Sequence, residues 1–313
     1  MIGTKLYHEV QITKEEKELL AYGISNDTDI DGRKINCVIG GKEDAAETVV
    51  FMHGLGMGDT AISTEPMLTP LKEQYRTCVI DRYGNGMSDD TGESQTVDAI
   101  LEEYRNVLRK QGIEGPYILV AHSIAGMYAN YWGKQYPEEI KAIVYLDADP
   151  AEWYAGAGEP KSMQVFLGRL QQVVASTGVQ RLFMSEEMLI GQDENHIFTE
   201  QQKKLRKSLM LRNTYSKATQ SEFENYYRNA TRVIENGVSL SMPQLYIQAV
   251  SENSNPDYLE EKKKIMEERG NVSVIRINGR HCLYEVSPEE TADAILNFLG
   301  EMYEGNENNF SCR

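Results

Sequence analysis

A chain of 313 residues that is 41% apolar has enough material for one large α/β domain, or for such a domain carrying an insertion. Its 48 acidic against 32 basic residues leave a formal net charge of −16, a field that repels nucleic-acid phosphates and anionic lipid headgroups, so neither is expected as a partner. No apolar run is long enough for a membrane span, and residues 1–20 lack the apolar core of a signal peptide, so a cytoplasmic location is expected. Of the cysteines Cys37, Cys78, Cys282 and Cys312, the first two lie in apolar strand-like runs, where a thiol behaves as a small hydrophobe. No CxxC or metal-type spacing occurs, so neither a metal nor a disulfide framework is expected, and a reducing compartment is the simpler reading.

Residues 35–39 read as a strand ending at the Gly40-Gly41 turn, and residues 48–52 as a short buried strand running into His53-Gly54-Leu55-Gly56. A helix is predicted over 67–74 and a strand over 76–80, which leads to Asp81-Arg82-Tyr83-Gly84-Asn85-Gly86. The spacing of Ile100, Leu101, Tyr104, Val107 and Leu108 by threes and fours predicts an amphipathic helix over 97–111. Residues 117–120 form a strand, 124–136 a helix stopped near Pro137, and 142–146 a strand ending at Asp147. Strand and helix in alternation imply parallel pairing with crossover helices, hence a doubly wound, mostly parallel sheet. From 151 to 240 the strand runs stop and polar-apolar segments with scattered Met, Phe and Tyr predict several inserted helices. Strands resume over 242–247 and 272–277, and a last helix is expected over 288–298. The expected organisation is therefore a core of 1–150 and 241–313 interrupted by a helical cap, 151–240.

The segment Tyr117-Ile118-Leu119-Val120-Ala121-His122-Ser123-Ile124-Ala125-Gly126 places a serine at a sharp strand-to-helix turn. Such a turn pushes the hydroxyl out of the sheet edge and aims the N-terminus of the following helix at it. A serine needs a base to become nucleophilic. Of the five histidines, His8 lies in a polar N-terminal arm, His196 in the insertion and His122 beside the serine, pointing elsewhere. His281 lies in the loop between the last strand and last helix, at the same carboxyl edge as Ser123, and is the expected base. A carboxylate should orient that base. Glu252, after the strand at 242–247, is favoured; Asp147 is the second choice, and Asp149 and Asp257 remain open. The oxyanion of an acyl-transfer intermediate needs donors. The Ile124 N–H supplies one and the glycine-flanked Leu55 N–H the other, with Gly54 and Gly56 as alternatives. Gly84-Asn85-Gly86 lacks the rest of a nucleotide fingerprint, and no cofactor is called for.

The order of oxyanion loop, nucleophile, acid and histidine resembles the α/β-hydrolase superfamily over about 35–299, the inserted helices aside. Asp81-Arg82-Tyr83-Gly84-Asn85-Gly86-Met87-Ser88-Asp89 is similar to the family's D-x-x-G-x-G-x-S-D turn. The segment from Pro243 to Pro256 resembles the family's penultimate-strand segment, in which the acid stands nine residues after one proline and four before another, as Glu252 does. The resemblance implies Ser123 as nucleophile, Glu252 as acid, His281 as base, Leu55 and Ile124 as oxyanion donors, and a cap that sets substrate choice. The family's G-x-S-x-G is here Ala121-His122-Ser123-Ile124-Ala125, with Gly126 following. The expected function is an esterase acting on a small-molecule acyl substrate through an acyl-enzyme. An aminopeptidase or amidase, in which Glu186, Glu187 or Glu222 would hold an ammonium, and a non-catalytic ligand receptor are the alternatives.

Overall fold

A computed structural model describes residues 2–310, and the side chains of 3–304; Cys312 lies outside them. A helix α1 (Ile2–Tyr22) precedes a hairpin of β1 (Asp27–Ile30) and β2 (Arg33–Gly41). Then come β3 (Thr48–Met52), α2 (Thr60–Ser63), α3 (Glu65–Leu71), β4 (Arg76–Asp81), α4 (Val97–Lys110), β5 (Tyr117–His122), α5 (Ala125–Gln135) and β6 (Ile140–Leu146). A run of helices follows: α6 (Ala151–Ala157), α7 (Ser162–Ala175), α8 (Glu186–Ile190), α9 (Glu200–Arg212) and α10 (Lys217–Asn236). The chain ends with β7 (Leu240–Val250), α11 (Pro256–Glu267), β8 (Gly270–Asn278), α12 (Leu283–Val286) and α13 (Pro288–Phe310).

The strands form one sheet in the order β1-β2-β4-β3-β5-β6-β7-β8, with β1 and β2 antiparallel and every pair from β4 to β8 parallel. This is the doubly wound, mostly parallel sheet the alternating pattern predicts. The period of two divides each strand between two cores. Val50, Met52, Leu119 and Ala121 face a cluster with Ile100, Tyr104 and Trp132 of α4 and α5, while Val49, Phe51, Ile118 and Val120 face Met67, Leu71, Ile295 and Leu299 of α3 and α13. Helix α4 is started by Thr96, whose hydroxyl accepts the Ala99 N–H at 3.2 Å, a side-chain cap on one of the helix's orphan donors. Cys37 and Cys78 are buried and unbridged on adjacent strands.

The Asp81–Asp89 turn is packed too closely for any residue but glycine at one point. Gly86 has φ +51°, and a Cβ there would meet Asp81 Oδ2 at 2.1 Å. The Asp81 carboxylate accepts from Asn36 Nδ2 at 2.9 Å and from the Met87 N–H at 3.1 Å. The next acid, Asp90, accepts the Lys217 and Ala218 N–H groups, so this turn fastens the start of α10 to the sheet.

The N-terminal segment was expected as a polar arm and is instead a helix. Its own polar pattern does not favour that; its contacts do. His8 is buried against the Val179–Leu182 turn, where Arg181 donates to its Nδ1 at 2.7 Å and pairs with Glu15 at 2.7 Å.

Candidate active site

Ser123 follows β5 directly and takes φ +56°, the left-handed region that a non-glycine residue occupies only under constraint. The constraint is visible: its N–H donates to Leu146 O at 3.2 Å and its carbonyl accepts the Gly126 N–H at 3.0 Å. The turn leaves Ser123 part-exposed while Ala121, His122, Ile124 and Ala125 are buried. The two alanines standing where the family pattern has glycine are therefore accommodated in the core. The close approach has moved one residue on, since a Cβ on Gly126 would lie 2.5 Å from Ala148 Cβ.

His281 Nδ1 lies 2.7 Å from Asp147 Oδ2, so Nδ1–H donates to the carboxylate and Nε2 is the nitrogen left for other work. Asp147, at φ +42°, is held by its own N–H to Ile247 O at 2.8 Å and by the Ala249 N–H to its Oδ1 at 3.2 Å. Lys262, buried on α11, lies 3.6 Å from the same Oδ1 and 2.8 Å from Asp149. Burial would raise the Asp147 carboxyl, but the His281 hydrogen bond, the Lys262 charge and the Ala249 N–H together hold it below its ordinary range.

The carboxylate at His281 is thus Asp147 and not Glu252, and the register explains the correction. His122 pairs with Leu146, and Leu146 with Ile247, so Ser123 and Asp147 are the first residues past the sheet at the same level on adjacent strands. Strand β7 runs on, paired with β8 as far as Val250–Asn278, which carries Glu252 five residues past Ile247, up to roughly 15 Å of extended chain. There Ser251 and Ser254 close a turn, with Ser251 N–H to Ser254 Oγ at 2.8 Å, and Glu252 faces solvent. Asp149 is occupied by Lys262 and by the Tyr258 hydroxyl at 2.8 Å, while Asp257 is an exposed first-turn residue of α11.

No hydrogen bond joins His281 to Ser123 among the described residues. Their link runs through His122, whose ring centroid is 4.5 Å from that of His281 and whose Nε2 is 3.1 Å from His281 O. A carbonyl only accepts, so Nε2 carries the proton. Burial, with the neighbouring His281, pushes the His122 imidazole down to about 3, keeping it neutral at pH 7.

The His53–Gly56 loop presses on the serine: a Cβ on Gly54 would meet Ser123 Cβ at 3.1 Å and His122 Nδ1 at 3.0 Å. Buried His53 donates from Nδ1 to Gly54 O at 2.7 Å and accepts the Arg82 N–H on Nε2 at 3.1 Å, so this ring too is neutral, its pKa driven well down by burial and the Arg82 charge. Arg82 Nη1 donates to His53 O at 2.7 Å, and its Nη2 reaches Gly54 O at 3.5 Å. With the Gly54 carbonyl turned toward His53 and Arg82, the trans peptide points the Leu55 N–H the opposite way. Arg82 is in turn paired with Glu222 of α10 at 2.7 Å, and Tyr128 donates to the same carboxylate at 2.9 Å. Glu222 is therefore committed inside the protein and is not a free site for a substrate ammonium.

Sequence reasoning passed over three of these residues. Arg82 and Lys262 are buried cations whose partners come from distant segments, a pairing no local pattern records. Tyr154, on α6, adjoins Ser123: burial and the Asp149 charge raise its phenol while the serine hydroxyl partly offsets them. A cavity of about 250 Å³ opens beside His281, with Met57, Leu189, Ile190 and Met210 supplying apolar walls and Asp59, Arg206 and Glu285 the polar ones.

Residues 47–285 match a family model described as alpha/beta hydrolase fold. The chain belongs to that family. It is 26% identical to the uncharacterized protein YbdG of Bacillus subtilis over 303 residues, 95% of this chain and 92% of the relative. It is 24% identical to a pyrethroid hydrolase of Sphingobium wenxiniae, covering 80% of this chain and 86% of that one. Among solved structures, Cfl2 of Burkholderia cenocepacia superposes with a TM-score of 0.66 at 18% identity, covering 87% and 94% of the two chains. A thioesterase domain from the curacin biosynthetic pathway superposes at 0.59 and 17% identity, covering 87% and 98%. At those identities the likeness is one of fold. No described helix is long and apolar enough to cross a membrane.

Proposed function

We propose that this hydrolase-family chain is a serine esterase that cleaves a small-to-medium carboxylic ester through an acyl-enzyme. Ser123 Oγ attacks the carbonyl carbon as its proton passes to His281 Nε2. Asp147 keeps the imidazole in the Nδ1–H tautomer and stabilises the imidazolium. The tetrahedral oxyanion is received by the Ile124 N–H, at the start of α5, and by the Leu55 N–H. His281 then protonates the leaving alkoxide, and the ester bond breaks. In the second half His281 takes a proton from water, whose oxygen attacks the acyl carbon, and then returns that proton to Ser123 Oγ as the acyl–oxygen bond breaks and the carboxylic acid leaves.

The observation that carries this reading is the 2.7 Å Asp147–His281 bond, set at the sheet edge beside a serine in a left-handed strand-to-helix turn. Hydrogen bonds of this kind commonly tighten only around substrate, so the Ser123–His281 bond is expected in the substrate complex. The apolar walls beside His281 suit an acyl chain. The helices of 151–240 act as the cap over that chain, and the likeness to the pyrethroid hydrolase of Sphingobium wenxiniae supports small-molecule hydrolysis.

The test pairs p-nitrophenyl esters of increasing chain length with Ser123→Ala and with fluorophosphonate labelling. Wild type should hydrolyse the esters and be labelled at Ser123, and S123A should lose about a thousandfold or more in kcat/KM. Faster turnover of aminoacyl amides than of esters would move the reading to an aminopeptidase. An unlabelled Ser123 in folded protein would point to a ligand-binding role instead.

A further inference from the structure

Helix α7 is packed the wrong way round for a helix of its composition. Its inward seam is Val165, Gly168, Gln172 and Ala175, spaced three, four and three apart, with Val165 its one branched apolar side chain. Gly168 is pressed on α10 so closely that a Cβ would meet the Gln220 amide at 2.3 Å. The larger apolar residues Met163, Phe166, Leu167, Leu170, Val173 and Val174 point outward and are 42–65% exposed. An amphipathic surface helix normally turns that stripe to the core. Spaced three, one, three, three and one apart, the six residues repeat after seven, the pattern of a helix-on-helix seam.

The surrounding charge is equally unusual. Residues 161–185 contain no Asp or Glu in a chain that has 48 acids, and of their three cations Arg169 and Arg181 are already paired, with Glu224 and Glu15. The stripe offers on the order of 500 Å² of apolar surface, at the upper end of what an isolated monomer leaves bare. Leu182 and Phe183, exposed on the Val179–Leu182 turn and just beyond it, lie in the segment that α7 touches. They bring the face toward the roughly 800 Å² per partner of a standard interface.

We infer that this face binds a second copy of the chain, α7 crossing α7 about a two-fold axis near Leu167 and Leu170. Two molecules of charge −16 repel each other least where a contact centres on a segment with no acid of its own, such as residues 161–185. A two-fold contact needs one self-complementary patch, which a heptad-spaced stripe supplies. A lipid surface fits less well: the polar side of α7 carries Gln164, Gln171 and Gln172 where membrane-surface helices carry clustered Lys and Arg.

Light scattering coupled to size exclusion tests this with the full chain. At about 100 μM, a contact with Kd of about 10 μM gives mostly dimer. Wild type should run at twice the 35.5 kDa chain mass. Phe166→Glu with Leu170→Glu should run at the monomer mass with an unchanged circular dichroism spectrum, and should match the wild-type melting temperature at dilutions where wild type is itself monomeric, because both side chains face solvent in the single chain. Gln171→Glu, off the stripe, should remain dimeric. A wild-type chain that stays monomeric at that concentration overturns the inference, as does a dimer that survives the double substitution. So does a monomer that floats with neutral phosphatidylcholine vesicles, which would make lipid the occupant.

Discussion

Replacing Asp147 by Asn keeps the size of the side chain and removes its charge. Three things change at once. The charge-assisted bond to His281 Nδ1, 2.7 Å long, becomes at best a neutral one, a loss of about 1–2 kcal/mol. An Asn that donates from its amide to Nδ1 would also force the proton onto Nε2, removing the acceptor that Ser123 needs. The imidazolium formed during attack loses its counter-charge on the side where it meets the largely buried Asp147, although His281 itself is half exposed. Together these are worth about 4 kcal/mol of transition-state stabilisation, or roughly a thousandfold in kcat/KM. Stability should suffer less, because Lys262 keeps Asp149 at 2.8 Å when Asp147 is neutralised. Glu252→Gln alters an exposed turn residue and should leave kcat/KM within about twofold, since isolated surface changes have small effects. Ester hydrolysis at fixed pH, with a thermal melt of each variant to verify folding, reads both. An active D147N enzyme, or an E252Q enzyme as crippled as D147N, would refute the assignment made from the register of β6 and β7.

Gly126→Ala places a methyl 2.5 Å from Ala148 Cβ, between a helix and a loop that cannot both stay put. It should cost about 1–3 kcal/mol and lower kcat by shifting the turn at Ser123; an unchanged melting temperature would contradict that close approach. Glu103, fully buried, has its carboxyl pushed up to about 8 by burial, while the unfolded group titrates near 4.5. Between those values the native state holds the extra proton, so stability should fall as pH rises from 5 to 8. Glu103→Gln should flatten that fall by up to several kcal/mol in urea titrations at the two pH values, and an unaltered difference would show that Glu103 ionises normally. Glu222→Gln leaves Arg82 buried without its counter-charge and should cost about 3–5 kcal/mol. Because Arg82 holds the His53 and Gly54 carbonyls, kcat should drop with KM little changed in whatever folds; a pure KM effect would mean the insertion alone had moved.

The strands were legible because burial on both faces writes itself into composition: residues 49–52 and 117–120 are unbroken apolar runs, and both proved to lie in central strands. The turn at Ser123 was legible because small residues follow such a run. The acid was not. Proline spacing around Glu252 says nothing of how far β7 extends, and that extension decides which carboxylate stands level with Ser123. Helix α1 was missed for a related reason: its apolar residues make no clear stripe, and its anchors, Arg181 with His8 and Glu15, lie more than 160 residues away. Glu222 read as a possible surface acid because nothing near it in sequence announces Arg82, 140 residues earlier.

Two buried ion pairs tie the helical insertion to the loops on either side of Ser123. Glu222 of α10 holds Arg82, which grips the carbonyls of the His53–Gly56 loop. Arg206 of α9 lies 2.7 Å from Asp59, just beyond that loop, and 2.8 Å from Glu285, four residues after His281. Such pairs rarely exceed apolar packing as a source of net stability, so their value here lies in permitting one docking of the insertion and penalising others. The Glu285 carboxyl, raised to about 7 by burial and the Asp59 charge against the pull of Arg206, gives one of these ties a pH dependence. Protonating it removes one anion from Arg206 and leaves the Asp59 contact in place. Acidification should therefore loosen the insertion on the His281 side, while Arg206 keeps its hold on Asp59.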